Sequence, residues 1–509
     1  IIIGAGLAGL SAALQAAENG CNVKLVSSLP SERAQSVMAE GGINAALNTK
    51  DENDSPEEHF TDTIKAACGL ADPNAVWGMT QAAPELVHWL LKLGVKFNMS
   101  GYDDVDLRNF GGQKKKRTAF AQSDTGKQIM TAMIDAVRRK EASGMVERFS
   151  HHSFLTLRLC GNICCGCVIR DEYSQETVEL PGDAVIVATG GMHGLFGNTT
   201  GSLSNTGEVT AELFRLGVPL ANGEMIQYHP TTVKCGGKRM LISEAARGEG
   251  GRLFAMKDGK QWYFMEEKYP ELGNLMPRDI TAREIWNVSH ESEVFLDMTE
   301  ISEEIISNKL SGLADDCMTY LHKDIRKEPV SVLPGIHYFM GGILVDEQHR
   351  TPIQNLCAAG ECCAQYHGAN RLGGNSLLGA LYGGRVAAKS ACEQADVVDL
   401  SCATQIDFPP ASQISEIKQL NKVMQETMGV VRNENTLLNG IQTVQALTGN
   451  LPLLGMAVLK SALARKESRG AHWREDYPKS NDDDYLKTTV ARFDGKQIQI
   501  SFVPVPERR

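Results

Sequence analysis

Four short segments of this 509-residue chain each place an arginine or a histidine in a loop rich in glycine or proline. They are His229-Pro230-Thr231, Pro277-Arg278-Asp279, His337-Tyr338-Phe339-Met340-Gly341-Gly342 and the stretch from His367 to Leu378 that contains Arg371. A guanidinium is a planar, permanently charged fork that suits carboxylates, and an imidazole adds further donors. Taken singly, each has a plainer reading. Arg278-Asp279 would be a surface ion pair worth little, and His229 and His337 hydrogen-bonded core residues. Arg247, in a glycine-rich turn, would bind its own backbone; Asn370 to Leu378 would hold a cofactor without touching substrate; Met38 and Met340 would be packing. Together, the four loops suit one preformed anion pocket better than four separate accidents.

A second chemistry-bearing segment opens the chain. The β-branched run Ile1-Ile2-Ile3 leads into Gly4-Ala5-Gly6-Leu7-Ala8-Gly9. Leu10 to Ala17 then reads as a helix ending near Asn19-Gly20, and Val23-Lys24-Leu25-Val26 as the next strand. Strand, glycine turn, helix, strand is the βαβ unit of a dinucleotide-binding fold. Gly4 would make the tight turn, Gly6 would let backbone approach a pyrophosphate, and Gly9 would let helix and strand pack closely. The acidic residue that often binds ribose at the end of the second strand is absent; Ser27 and Ser28 stand there and can still hydrogen-bond a hydroxyl. A further buried-type strand, Asp183 to Ala188, runs into Thr189-Gly190-Gly191. That second glycine turn tips the choice of dinucleotide towards a flavin.

The rest of the chain must position these groups. From about Gly223 to Pro329 the texture shifts to aromatic and charged residues with short helical stretches. Apolar strand and glycine texture then returns at His337 to Val345, Leu356 to Gly360 and Gly368 to Gly384. This predicts an α/β fold: a Rossmann-like nucleotide-binding domain over residues 1–222 and 332–394, interrupted by an α+β capping domain over 223–331. Helical segments Ile414 to Glu426, Leu437 to Leu447 and Leu454 to Arg465 predict a helical C-terminal domain over 395–509. Length alone favours about two to four domains.

Composition narrows the function classes. The net charge of −11 opposes nucleic acid, which needs clustered Lys and Arg to neutralise phosphates. The lone basic run, Lys114 to Arg117, reads as a solvated loop or a docking patch. An acidic surface also repels small anions, so anion binding must be local. No stretch reaches the roughly 18–20 apolar residues of a membrane span, so any membrane link is expected to come through a partner. The 13 cysteines include the cluster Cys164, Cys165, Cys167 and the adjacent Cys362 and Cys363, but no separated pair of C-x-x-C units. That spacing fits neither a structural zinc site nor an iron–sulfur run, so no metal site is expected. Reduced thiols in a reducing compartment are the expectation, with any iron–sulfur relay on another chain. Beginning at Ile1 in mid-strand without Met, the chain is expected to lack its natural N-terminus, which leaves a cleaved targeting peptide open.

An ordered series of segments resembles the succinate dehydrogenase/fumarate reductase flavoprotein family. It runs through Ser36-Val37-Met38-Ala39-Glu40-Gly41-Gly42-Ile43, Phe110-Gly111-Gly112, His229-Pro230-Thr231 and Ser243-Glu244-Ala245-Ala246-Arg247-Gly248-Glu249-Gly250-Gly251. It continues through Pro277-Arg278-Asp279, His337 to Gly342, Ala359-Gly360-Glu361, His367 to Leu378 and Glu467-Ser468-Arg469-Gly470-Ala471-His472. The resemblance covers nearly the whole chain and implies FAD and a four-carbon dicarboxylate, fumarate or succinate. It also implies a cap that closes over the substrate. Arg371, His337, His229 and Ser243 would grip the carboxylates, with Phe110 and Gly42 against the substrate; Ser243 stands where Thr is frequent. Arg278 would donate the proton, fed by Glu244 and Arg247. A guanidinium is a poor acid, with an ordinary pKa above about 12, but a strongly basic carbanion-like centre left by hydride arrival would take its proton. The implied FAD contacts are Gly4, Ala5, Gly6, Leu7, Ala8, Gly9, Ser27, Ser28, Gln35, Ser36, Ala39, Glu40, Gly41, Gly42, Ala188, Thr189 and Gly190. Glu208, His337, Tyr338, Glu361, Arg371, Asn375, Ser376, Leu377 and Leu378 complete that set. An iron–sulfur subunit is the implied partner, with a membrane anchor behind it, and the implied location is the cytoplasm or the inner face of the membrane.

One departure bears on direction. Respiratory members attach FAD covalently to a histidine that precedes the Ser36 to Gly42 segment, and Gln35 occupies that position. An amide is no substitute for the imidazole nucleophile, so noncovalent FAD is expected. Fumarate reduction is then favoured over succinate oxidation, because the covalent link is what makes the flavin a stronger oxidant. L-aspartate oxidase is the nearest alternative, opposed by Gly379 where that group usually carries Glu. A flavin protein of RNA modification and a non-catalytic electron relay are alternatives from other classes.

Overall fold

The computed structural model describes all residues except 102, 103, 395–399, 407 and 409–412, so the expected boundary at 394/395 lies outside the described residues. Five short parallel strands form the central sheet, in the order Leu356–Ala358, Val185–Val187, Ile2–Ile3, Val23–Ser27, Val146–Ser150. The three central strands and Leu356–Ala358 are mostly Ile, Val, Leu and Ala, and Ile2, Leu25, Val26, Val185 and Val187 are buried. That is the composition of a parallel sheet covered on both faces. The first helix, Leu7–Glu18, is capped by Asn19 and ends at Gly20 with φ 83°. It is buried through Ala17 and packs in one core with the long helix Asn375–Gln394, whose Leu377, Leu378 and Leu381 are inside. The sheet therefore draws strands from both sides of a long insertion.

Within that insertion, an antiparallel sheet of four strands (Lys260–Trp262, Arg252–Lys257, Val294–Asp297, Val330–Ser331) packs against the helix Arg278–Ser289. Leu253, Phe264, Met265, Ile285 and Leu296 form its core, and Phe110 from outside the insertion joins that core. The strands that enter and leave the insertion, Ile226–Cys235 and Leu333–Phe339, pair antiparallel with each other. Bulges between Gln227 and Tyr228 and between His229 and Thr232 interrupt this ladder. Bulges re-aim side chains, and these flank His229.

After the insertion come helices Ile414–Thr427, Glu434–Val444 and Asn450–Ala464, packed on Leu420, Met424, Leu437, Leu454 and Val458. To the expected helices the structure adds a hairpin, Lys487–Phe493 with Ile498–Pro504. It pairs onto Leu220–Ala221 in a second five-stranded sheet. A buried ion cluster ties this region to the site. Arg465 donates to Glu224 and Glu467, each at 2.7 Å, and Arg432 Nη1 donates to the Glu224 carbonyl at 2.7 Å and to His472 Nδ1 at 2.9 Å. Glu224 lies just ahead of the strand that carries Gln227 and His229. Among the described residues no helix is long and apolar enough to cross a membrane. Among the described residues no disulfide joins any of the cysteines.

Candidate active site

One cleft, about 580 Å³, runs from the glycine loop to the insertion. At its first end, Gly4 has φ 109°, and a Cβ there would stand 2.3 Å from the Ala188 carbonyl oxygen. A Cβ on Gly9 would stand 1.9 Å from the Gly4 carbonyl oxygen. Glycine at these two positions is therefore what lets the loop, the first helix and the Val185–Val187 strand approach. The first helix has Gly6 as its N-cap, no side-chain cap and no acid in its first turn. Its positive end is left for a phosphate. Ser27 Oγ, at the end of the second strand, is buried without a hydrogen-bond partner and lines the cleft. A loose donor and acceptor at that place fits a ribose hydroxyl. These features suit a dinucleotide.

At the other end the chemistry changes. Glu244, buried to 2% exposure, accepts from Arg278 Nε at 2.7 Å and stands 2.6 Å from Arg278 Nη2. Its second oxygen accepts from the Gly111 N–H at 3.0 Å and lies 3.4 Å from Arg247 Nη2. Gln227 accepts from Arg278 Nη1 at 3.0 Å and donates to Asn370 Oδ1 and to the Arg371 carbonyl, at 2.9 and 2.8 Å. The rings of His229 and His337 meet edge-on with centroids 5.1 Å apart. His337 Nδ1 is taken by Thr200 Oγ1 at 2.8 Å, and His229 Nδ1 by the Thr231 backbone, 3.3 Å from its N–H. In both rings Nε2 remains for a ligand. Arg371, 3% exposed, lies over the Tyr338 ring at 4.3 Å and donates to no protein group among the described residues; its Nε is buried and unpartnered.

Burial dominates the electrostatics. It pushes the Arg371 guanidinium down to about 9, helped by the neighbouring Arg278. It also holds His229 and His337 well below the ordinary imidazole value, with Arg278 adding to the effect, so both are neutral donors or acceptors. For Glu244, burial alone would raise the carboxyl. Arg278 and Arg247 override it and hold the group below the ordinary carboxylate value. Glu40, on the loop Gln35 to Gly42, goes the other way: burial, with Asp316 nearby, pushes it up to about 8. The chamber thus holds a fixed carboxylate between two guanidiniums and, beside them, a third guanidinium with no acid of its own. Such a cavity calls for an added anion.

Most of the expected residues line this cleft. Gly4 to Ala8, Ser27, Ser28, Gln35, Ser36, Ala39 to Gly42, Ala188 to Gly190, Glu208 and Glu361 do so on the dinucleotide side. Phe110, His229, Ser243, Glu244, Arg278, His337, Tyr338, Arg371, Ser376 and Leu377 do so towards the chamber. Four do not. Gly9 packs on Gly4, and Arg247 sits behind Glu244, donating to the Asn274 carbonyl at 2.6 Å. Asn375 is fully buried, and its side chain bonds Asn44, His59 and Thr63, which holds the start of the long helix in place. Leu378 lies in the core between helices. Among residues the sequence did not single out, Gln227, Thr200 and Arg33 are placed at the cleft or at its key groups. So is Arg108, whose guanidinium donates to the Gly41 and Glu40 carbonyls and stacks on Phe120 at 4.2 Å. Only the adjacency of Gln227 to His229-Pro230 was a signal in sequence.

A groove that takes a dinucleotide at one end and presents an anion chamber at the other is the arrangement of a flavoprotein oxidoreductase. Residues 1–377 match the FAD binding domain family, and residues 447–508 match the fumarate reductase flavoprotein C-terminal family. The chain is 38% identical to the succinate dehydrogenase flavoprotein subunit of Bacillus subtilis, over 100% of this chain and 97% of that one. It is 32% identical to the 8-methylmenaquinol:fumarate reductase flavoprotein subunit of Wolinella succinogenes, over 100% and 92%. The fold superimposes on E. coli quinol fumarate reductase with a TM-score of 0.90, at 28% identity, covering 99% of this chain and 96% of that one. The chain belongs to the succinate dehydrogenase/fumarate reductase flavoprotein family, whose members are FAD-dependent oxidoreductases.

Proposed function

We propose that this chain reduces fumarate to succinate with noncovalently held FAD. The observation that carries the reading is the buried, acid-free Arg371 beside the Arg278–Glu244 pair and two neutral histidines, all on the cleft that begins at the glycine loop. FAD would be held by the glycine loop, Ser27, the Gln35 to Gly42 loop and Ser376 to Leu377, and when bound it supplies two electrons as a hydride. One substrate carboxylate pairs with Arg371, and His229 and His337 take the other through Nε2. Stronger hydrogen bonds to a carboxylate as charge builds on it favour hydride acceptance at the far alkene carbon. Arg278 holds the proton for the neighbouring carbon. Glu244 fixes that guanidinium and returns a proton to it, with Arg247 next in line. Phe110 and the insertion's core exclude water.

Gln35 supports the noncovalent link, because its amide lines the cleft where a nucleophilic imidazole would be required. An iron–sulfur protein would bring the electrons, since the chain has no cysteine spacing for a cluster; a membrane anchor would sit behind that partner. The test is turnover of fumarate by the purified holoprotein with a reduced viologen, compared with aspartate and oxygen. Fumarate reduction that vanishes in Arg278→Ala at full FAD content supports the reading, and FAD-replete protein inert towards fumarate overturns it. Acid precipitation should leave flavin in the supernatant; flavin in the pellet overturns the noncovalent link.

A further inference from the structure

Beyond the chamber, a further cation borders the insertion end of the same cleft. Arg239 lies on the strand Lys238–Leu241, which pairs with Ile226–Cys235, the strand of His229. Its backbone N–H donates to the Thr199 carbonyl at 3.2 Å, one residue from the Thr200 that holds His337. Its guanidinium is anchored on one side only. Nε donates to Thr232 Oγ1 at 2.5 Å, and Nη2 donates to the Thr232 and Leu333 carbonyls at 3.4 and 3.3 Å. Nη1 has no protein partner, and no acid lies within ion-pair distance among the described residues. Directly across the hairpin, in register, stands Lys234, exposed and also without an acid partner.

Like charges facing each other across two strands are destabilising. Neither cation serves the fold by ion pairing, yet Arg239 lines the cleft and Lys234 stands next to it across the hairpin, in a chain of net charge −11. The cleft wall beside them is apolar, with Met240 and Leu241 lining it. Low-dielectric walls focus the field of a nearby charge into the opening and raise the local concentration of a counter-ion.

We propose that Arg239, assisted by Lys234, forms an entry site for a short dicarboxylate dianion. One carboxylate would rest on Arg239 Nη1 before the molecule passes to Arg371, His229 and His337. This rests on the dicarboxylate reading above. Arg239 takes no part in bond making; it raises the capture rate and leaves the chemical step alone.

The test uses the holoenzyme and two readouts: steady-state fumarate reduction, and stopped-flow association of malonate followed through the flavin spectrum. Each is run between about 10 mM and about 300 mM ionic strength, a range over which screening shortens from about 30 Å to under 10 Å. Arg239→Gln is expected to lower kcat/KM and the malonate on-rate about tenfold at low salt, the lower end of steering effects. It should flatten their salt dependence and leave kcat within about twofold of wild type. Arg239→Lys, which keeps the charge but loses the fork, should restore most of the loss. Unchanged kcat/KM and on-rate in Arg239→Gln overturn the proposal. So does an Arg239→Lys enzyme as impaired as Arg239→Gln, because the loss then comes from the bonds to Thr232 and Leu333. If wild type binds malonate through Arg239 but does not reduce fumarate, the entry site stands and the reaction assigned above falls.

Discussion

Glu244→Gln tests the centre of the mechanism with a change of one atom type. In the wild-type protein the carboxylate is almost fully enclosed, 2.6–2.7 Å from two nitrogens of Arg278 and 3.4 Å from Arg247. The amide keeps the shape but removes the negative charge that separates two guanidiniums, and its NH₂ group faces donors rather than accepting from them. Breaking a buried ion pair by removing one partner costs about 3–5 kcal/mol. If that cost falls on the placement of Arg278, each 1.4 kcal/mol is about a factor of ten in rate. On this basis kcat for fumarate should fall by about 10²-fold to a few thousandfold. KM should change little, because Glu244 is turned towards Arg278 rather than towards the carboxylate grips. Glu244 stays charged at every pH above the ordinary carboxylate value, so the deficit should be constant over neutral pH and deepen only towards about pH 9, where Arg371, which Glu244 helps keep charged, begins to lose its proton. The assay is viologen-linked fumarate reduction with FAD content and thermal midpoint measured on the same samples. A variant with full FAD, a kcat within about threefold of wild type and an unmoved midpoint would refute the assigned role of this carboxylate.

Three further outcomes follow from particular contacts. Gln227→Leu removes the acceptor of Arg278 and the donor to Asn370 and the Arg371 carbonyl. At about 1–3 kcal/mol for each buried group left unpaired, kcat/KM should drop roughly 10²-fold, as read from initial rates at low fumarate. Gly9→Ala forces the first helix off the Gly4 carbonyl, so the purified protein should carry less flavin per chain by absorbance ratio; a full complement of FAD would contradict the packing argument. His59 and His349, at about 3 and about 4, and His229, His337, His367 and His472, well below the ordinary value, are all depressed first by burial. The unfolded chain therefore binds more protons than the folded one below about pH 6.5. On their account stability should fall as pH drops below that value, at about 1.4 kcal/mol per pH unit for each histidine, while the single Glu40, raised to about 8, works the other way and lowers stability as pH rises towards 8. Chemical denaturation between pH 5 and pH 8 measures the slope, and a flat profile would show these rings to be charged or exposed.

Local rules explain why much of this protein was readable before any coordinates. The glycine spacing from Gly4 to Gly9, the run Val23 to Val26 and the helix between them are set by steric and capping preferences within about 25 residues. Their pairing into a parallel βαβ unit follows from chain connectivity. The ordered segments from Ser36 to His472 likewise named Arg278, Arg371, His229 and His337, which border the cleft. What sequence left open was decided by pairings between distant strands. His229 and His337 meet because the strand entering the insertion pairs with the strand leaving it, and the bulges beside Gln227 and His229 re-aim side chains that regular alternation would face elsewhere. Gln227, Thr200 and Arg108 have unremarkable sequence neighbourhoods, and their roles exist only once Arg278, His337 and the Gly41 loop are brought to them. Asn375 and Leu378, expected at the cofactor, do not line the cleft. A helix has an inward face as well as a cleft face, and the rotation of Asn375–Gln394, set by core packing, turned these two inward. The final hairpin, Lys487–Phe493 with Ile498–Pro504, depends on an open edge at Leu220–Ala221 that no local pattern reveals. Residue types and short spacings determined which groups could do chemistry; long-range strand pairing and the burial it imposes decided which of them share a chamber and in what charge state.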